Sequence, residues 1–179
     1  MTDRNSVLAV TVRLVVWIVS MSVVAACAFP GDREAPSGSS ELGAELIADA
    51  AARACVDECE VLDVYIRDEL TTLGNAVETE PMPDTVREAL GRELGNVEFV
   101  DLERIDALFI DGLVDGGQGV LITVGPIKQL ARDVVGVDVL VTTARDGAYG
   151  QTVQYLWRDD GWQHATSDET GVPVTSSVS

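Results

Sequence analysis

The stretch 134–144, "VVGVDVLVTTA", decides the fold. Val135, Val137, Val139 and Val141 recur at every second position, opposite Asp138 and Thr142. A period of two is that of a β-strand with one buried and one wetter face. The same period runs through "VLITV" (120–124) before it and "GQTVQYLW" (150–157) and "GWQHA" (161–165) after it. "DDG" at 159–161 marks a hairpin, because glycine takes the positive φ that a tight turn demands. An antiparallel meander of four strands is predicted from Val120 onward. Residues 166–179, "TSDETGVPVTSSVS", either add an edge strand around Val172 to Val174 or fray.

Upstream of Val120 the period is helical. In "ELGAELIADAAARA" (41–54), Leu42, Leu46, Ala50 and Ala54 form one i, i+4 row with Ile47 and Ala51 beside it. Glu41 and Glu45 stand near the positive end of the helix dipole and Arg53 near the negative end. Val61, Leu62, Val64, Tyr65 and Ile66 then favour a strand ending near Asp68. Residues 70–83 read as an excursion, with Gly74-Asn75 as a turn and "PMP" (81–83) blocking helix. Asp84 is the expected cap of "TVREALGREL" (85–94), in which Val86, Leu90 and Leu94 line one face, Glu88 and Arg92 pair on the wet side, and Gly95 stops the helix. "NVEFVDL" (96–102) reads as a short strand. Asp101 then caps "LERIDALF" (102–109), with Ile105, Leu108 and Phe109 inward, and "DGLVDGGQG" (111–119) reads as loop. Early helices and late consecutive strands imply an α+β fold, with two to three helices on a curved, mostly antiparallel sheet of about five to six strands.

Composition narrows the partners. The 179 residues carry 12 Lys and Arg against 30 Asp and Glu, a formal net charge of −18, and Lys128 is the sole lysine. Such a surface repels phosphate backbones and anionic headgroups, so nucleic acid is not an expected partner. Apolar residues make up 46% of the chain, too many for a disordered acidic polymer, so the acids coat a folded body.

The first 26 residues follow the grammar of a signal peptide: Arg4 and Arg13, the apolar "LVVWIVSMSVV" from Leu14, then Ala25-Ala26 before Cys27. Leu14 to Ala26 is 13 residues, roughly 20 Å as a helix against a hydrocarbon core of about 30 Å. Extending the run back to Val7 reaches spanning length only by burying Arg13. Val24-Ala25-Ala26-Cys27 resembles the lipobox of bacterial lipoproteins, an aliphatic residue, a small residue, Gly or Ala, then the modified cysteine. The resemblance implies that a diacylglycerol joins the Cys27 thiol and that cleavage makes Cys27 the new N-terminus. An uncleaved signal-anchor and an ordinary secreted protein are the alternatives. Residues 1–26 are then the signal peptide, 27–40 a flexible tether rich in Pro, Gly and Ser, and 41–179 a single globular domain. Localisation follows as the extracytoplasmic face of the cell membrane, with the lipid as the membrane contact.

Cys55 and Cys59 in "CVDEC" suggest a disulfide or half a metal site. Zinc would need two more ligands, and once Cys27 is acylated the one remaining soft ligand is His164. Outside the cytoplasm a bridge is favoured, with the helix unwinding before Cys59. His164 is also the lone histidine open to nucleophilic catalysis, yet the serines fall in leader, tether and tail and there is no G-x-S-x-G motif. Asp106, Asp111 and Asp115 could gather Ca²⁺ but miss the order of a calcium loop. No catalytic, cofactor or metal residue is assigned. Tyr155, Trp157 and Trp162 concentrate the aromatics of one hairpin, either as core or as ligand-facing side chains. The ending "GQTVQYLWRDDGWQHA" (150–165) is similar to the final hairpins of NTF2-like and cystatin-like folds, which bears on fold alone. The expected function is a non-enzymatic, lipid-anchored envelope protein that binds a partner protein or small envelope ligand. The alternatives are an envelope glycan hydrolase using an Asp/Glu pair and a solute-binding or calcium-stabilised scaffold.

Overall fold

The computed structural model describes residues 34–73 and 78–174, and the backbone of 177–178. These lie in one unit spanning Asp32–Ser179. The leader, Cys27 and the Gly74-Asn75 turn fall outside the described residues.

The helices and strands alternate in the first half. They run α1 (Glu41–Ala54), α2 (Val56–Cys59), β1 (Asp63–Arg67), β2 (Glu69–Thr71), β3 (Thr79–Pro81), α3 (Asp84–Leu94), β4 (Val97–Val100), α4 (Leu102–Leu108), β5 (Phe109–Ile110) and β6 (Leu113–Val114). The second half is strand after strand: β7 (Gly119–Ala131), β8 (Val134–Ala144), β9 (Gly147–Arg158) and β10 (Gly161–Ala165), then α5 (Ser167–Thr170) and β11 (Ser177–Val178). The sheet is curled and ordered β10-β9-β8-β7-β1-β4, so the fold is α+β. The three junctions of the meander are antiparallel. The two junctions of β1, with β7 and with β4, are parallel. Parallel neighbours need a crossover, and α3 supplies it between β1 and β4.

The alternation of the valines sets the two faces. Val135, Val137, Val139 and Val141 are completely buried and meet Ile47, Ala50 and Ala51 of α1 and Val86 and Leu90 of α3 in one continuous core. Burial of four valines at about 1.5–3 kcal/mol each makes this face decisive over any local propensity. Leu42, placed on the inward row by spacing, is 45% exposed, whereas Leu46, Ala50 and Ala54 of that row are buried. Ser40 caps α1 by accepting from the Gly43 amide at 3.1 Å. Position 43 admits glycine alone, since a Cβ there would lie 2.0 Å from the Ser37 carbonyl oxygen.

Several expected boundaries are corrected. Pro83, not Asp84, occupies the cap of α3; Asp84 is the first helical residue and pairs with Arg87 at 2.7 Å. Gly95 does stop α3, at φ 82°. Asp101 caps α4 by accepting from the Arg104 amide at 2.9 Å. The stretch 111–119 is not all loop: β5 and β6 form a small hairpin, and Val114 joins Val100 and Leu121 in a second, smaller core with Ile105, Leu108 and Phe109 against it. The first meander strand runs on to Ala131 because a bulge absorbs Gly125-Pro126. The β9–β10 turn rests on Asp159 and Asp160, at φ 48° and 67°, rather than on Gly161. Aspartate tolerates the left-handed region through local side-chain hydrogen bonding. The tail forms α5 at 167–170 and pairs with β9 at 177–178, rather than adding a strand at 172–174.

Candidate functional site

The aromatic hairpin separates into two groups. Tyr155 lies on the helix-covered face and is 1% exposed. Its hydroxyl donates to Asp49 Oδ2 at 2.8 Å, with the Leu46 carbonyl at 3.1 Å as second acceptor. Arg53 Nε donates to the same Asp49 oxygen at 2.7 Å. Burial, reinforced by the Asp49 charge, pushes the Tyr155 hydroxyl far up in pKa. Tyr155 is therefore a post that joins sheet to α1. Trp157 and Trp162 face each other across β9 and β10, edge to face, with centroids 5.3 Å apart. Trp162 packs on the main core. His164 directs its ring at the Tyr155 edge, 6.2 Å between centroids and 80° between planes. Tyr155 and Trp162 thus join the core, while Trp157 stacks on Trp162 and His164 on Tyr155.

Cys55 and Cys59 form a disulfide with Cα atoms 5.4 Å apart. The helix breaks at Cys55 itself, φ −116° and ψ 18°, and resumes for the single turn of α2. Sulfurs joined in this bridge are not the free thiolates that zinc takes. Tyr149 reinforces the junction: its hydroxyl reaches the Ala54 carbonyl at 2.8 Å and Glu58 Oε2 at 3.0 Å, and burial pushes it up to about 12. Two of the three acids considered for calcium serve other partners. Asp106 pairs with Arg145 at 3.6 Å, and Asp115 accepts from the Tyr65 hydroxyl at 3.1 Å. Among the described residues no group of three or more His, Cys, Asp or Glu side chains is placed to hold a metal ion.

The face of the sheet away from α1 carries a polar cluster that the spacing did not disclose. Asp138, expected on the wetter side, is 6% exposed. Lys128 Nζ donates to both its carboxylate oxygens, at 2.7 and 2.6 Å, and Thr152 Oγ1 donates at 2.6 Å. Two residues further along β9, on the same face, Gln154 bonds Thr170 and the Val172 carbonyl and holds the tail there. The signal in the sequence was an aspartate inside a valine strand together with a lone lysine. Satisfied on every side, the cluster pins strand register rather than offering a reactive group.

Surface depressions lie apart from these clusters. One of about 560 Å³ opens where residues 34–38 enter the domain, against Glu80, Pro126 and Ile127. Another, about 220 Å³, lies between α1 and α3 beside Glu45, Asp49 and Glu93. A third, about 270 Å³ and mainly polar, sits at the start of β1 and β4, walled by Asp63, Tyr65, Asn96 and Glu98. Asp49, the most enclosed of the carboxylates beside the α1–α3 depression, is already engaged by Tyr155 and Arg53. Among the described residues no helix is long and apolar enough to cross a membrane. No protein family, no curated protein and no solved structure matches this chain.

Proposed function

We propose that this chain is an exported lipoprotein whose domain acts as a non-enzymatic binding module on the extracytoplasmic face of the cell membrane. The observation that carries the reading is the bridge between Cys55 and Cys59. Disulfides form and persist in oxidising compartments, which supports export. Of three cysteines, the bridge leaves Cys27 as the one outside it, directly behind Val24-Ala25-Ala26. Acylation of Cys27 fits that chemistry, and two acyl chains hold a protein stably to a bilayer where one does not. The leash is shorter than the 27–40 expected, because Ala35 packs on the core and the Ser37–Ser40 turn leads into α1; residues 28–33 then keep a body of strong negative charge away from anionic lipid.

Binding rather than turnover is the reading because the helix-covered face is filled with Val, Ile, Leu and Ala side chains, and the lone histidine leans on a structural tyrosine. Recognition is thereby assigned to outer surfaces, with a partner protein or small envelope ligand as its object. The test is fractionation of cells expressing the wild type and Cys27→Ala. The wild type should sediment with membranes and shift to the detergent phase. The Ala variant should lose detergent partitioning. Equal partitioning of both would overturn the anchor. Turnover of envelope glycan by the purified domain would overturn the non-enzymatic reading.

A further inference from the structure

We propose that the outer edge of β4 takes an extended, basic segment of a partner protein as an added strand. This rests on the binding reading above and names its partner. β4 (Val97–Val100) ends the six-strand order, and β1 is its strand neighbour among the described residues. The Asp68 amide donates to the Val100 carbonyl at 2.8 Å, so Val100 and, by alternation, Glu98 turn their backbone groups toward β1. Val97 and Phe99 therefore turn theirs outward, where a further strand would find them. The sequence V-E-F-V has neither Lys nor Pro, two residues that commonly blunt an edge, and its one charge is Glu98.

Charge selects the occupant. Glu98, Asp101 and Glu103 are exposed along the edge, and Asp63 and Glu98 wall the polar depression at its start. Arg104 offsets Glu98, at 2.6 Å. The surplus is negative here, as it is over the whole chain at −18. A second copy would bring the same charge to the edge and be repelled. A Lys- or Arg-bearing strand would be attracted, its side chains flanking the carboxylates while its backbone pairs with Val97 and Phe99.

The test uses the full chain purified from membranes in detergent and two blocked peptides of equal charge. In one, Lys and Arg alternate with Val; in the other, Pro replaces each Val. The Val peptide should bind at least tenfold more tightly and slow hydrogen exchange at the Val97 and Phe99 amides. Val97→Pro removes an outward amide at the first position of the strand, where proline is tolerated, and should weaken the Val peptide at least tenfold. The exchange measurement needs no variant, so the test survives if Val97→Pro fails to fold. Equal binding of both peptides would reduce the attraction to charge alone and overturn the proposal. Protection at β10 instead of β4, or no binding, would also overturn it. A native partner bound equally by wild type and Val97→Pro would leave the binding reading intact and refute this edge.

Discussion

Replacing Lys128 by methionine should cost more stability than changing the acid it serves, and the asymmetry follows from exposure. The Asp138 side chain is 9% exposed and the Lys128 side chain 39%. Loss of the lysine strips two charge-assisted hydrogen bonds from an enclosed carboxylate and leaves it Thr152. Uncompensated burial of a fully enclosed charge costs about 3–5 kcal/mol; the half-open lysine arm lets water in, so about 2 kcal/mol is expected for Lys128→Met. Asp138→Asn keeps an acceptor for both donors and leaves an ammonium that water solvates, for about 1 kcal/mol. With roughly 140 folded residues, each kcal/mol moves the melting temperature by about 3–4 °C. Lys128→Met should therefore melt about 7 °C lower and Asp138→Asn about 3 °C lower by circular dichroism. A Met variant within about 1 °C of wild type, or an Asn variant less stable than the Met variant, would refute the idea that Asp138 is an enclosed charge held by Lys128.

Further expectations concern the joints of the fold. Gly43→Ala forces a Cβ onto the Ser37 carbonyl oxygen and should cost about 2–3 kcal/mol in urea unfolding, whereas Gly91→Ala, with open space around it, should be neutral or stabilising. The double change Cys55→Ser, Cys59→Ser should cost about 2 kcal/mol or less for so short a loop, with faster hydrogen exchange confined to the end of α1 and α2. All three tyrosines are raised, Tyr65 and Tyr149 by burial and then a carboxylate partner, Tyr155 by burial and then the Asp49 charge. Phenols in the unfolded chain ionise near 10.0, so their contribution is full below that pH and falls as pH rises toward about 12, where Tyr149 ionises. At pH 10.0, where a free phenol is half ionised, phenolate absorbance should stay below the half-ionised level, and a full step centred there would contradict the hydrogen-bonded hydroxyls of Tyr149 and Tyr155. Glu169 is lowered by the Thr166 amide and then by Arg158, so its contribution is present above the free carboxylate value of 4.5 and lost on acidification. Glu169→Gln should flatten that acid limb in pH-dependent melting.

The meander was legible because burial of one face leaves its period in the residues: the inward valines of β8 are the completely buried ones. The first helix was legible for the same reason, with its run of small side chains between sheet and α3. Asp138 was misjudged because alternation tells which face a residue takes and not what else covers that face. Lys128 and Thr152 reach it from neighbouring strands, ten and fourteen residues away. The cap of α3 was misplaced by one residue, since Pro83 and Asp84 both suit a helix start and Arg87 draws Asp84 into the first turn. The parallel placement of β4 beside β1 left no local trace, because the α3 crossover that fixes it is a tertiary choice. Spacing marked the cysteines as a pair but left disulfide and half a metal site both open, and the preference for a bridge rested on the expected export. The aromatic hairpin was legible as a cluster, while the division between the Tyr155 post and the stacked tryptophans depended on α1 lying above it.

The central claim is acylation at position 27, and intact-mass measurement of the protein purified from membranes tests it most directly. The account predicts a chain beginning at Cys27, heavier than residues 27–179 by at least a diacylglyceryl group and lighter by two hydrogens for the Cys55–Cys59 bridge. A chain that still carries residues 1–26, with no fatty mass on it, would contradict the account.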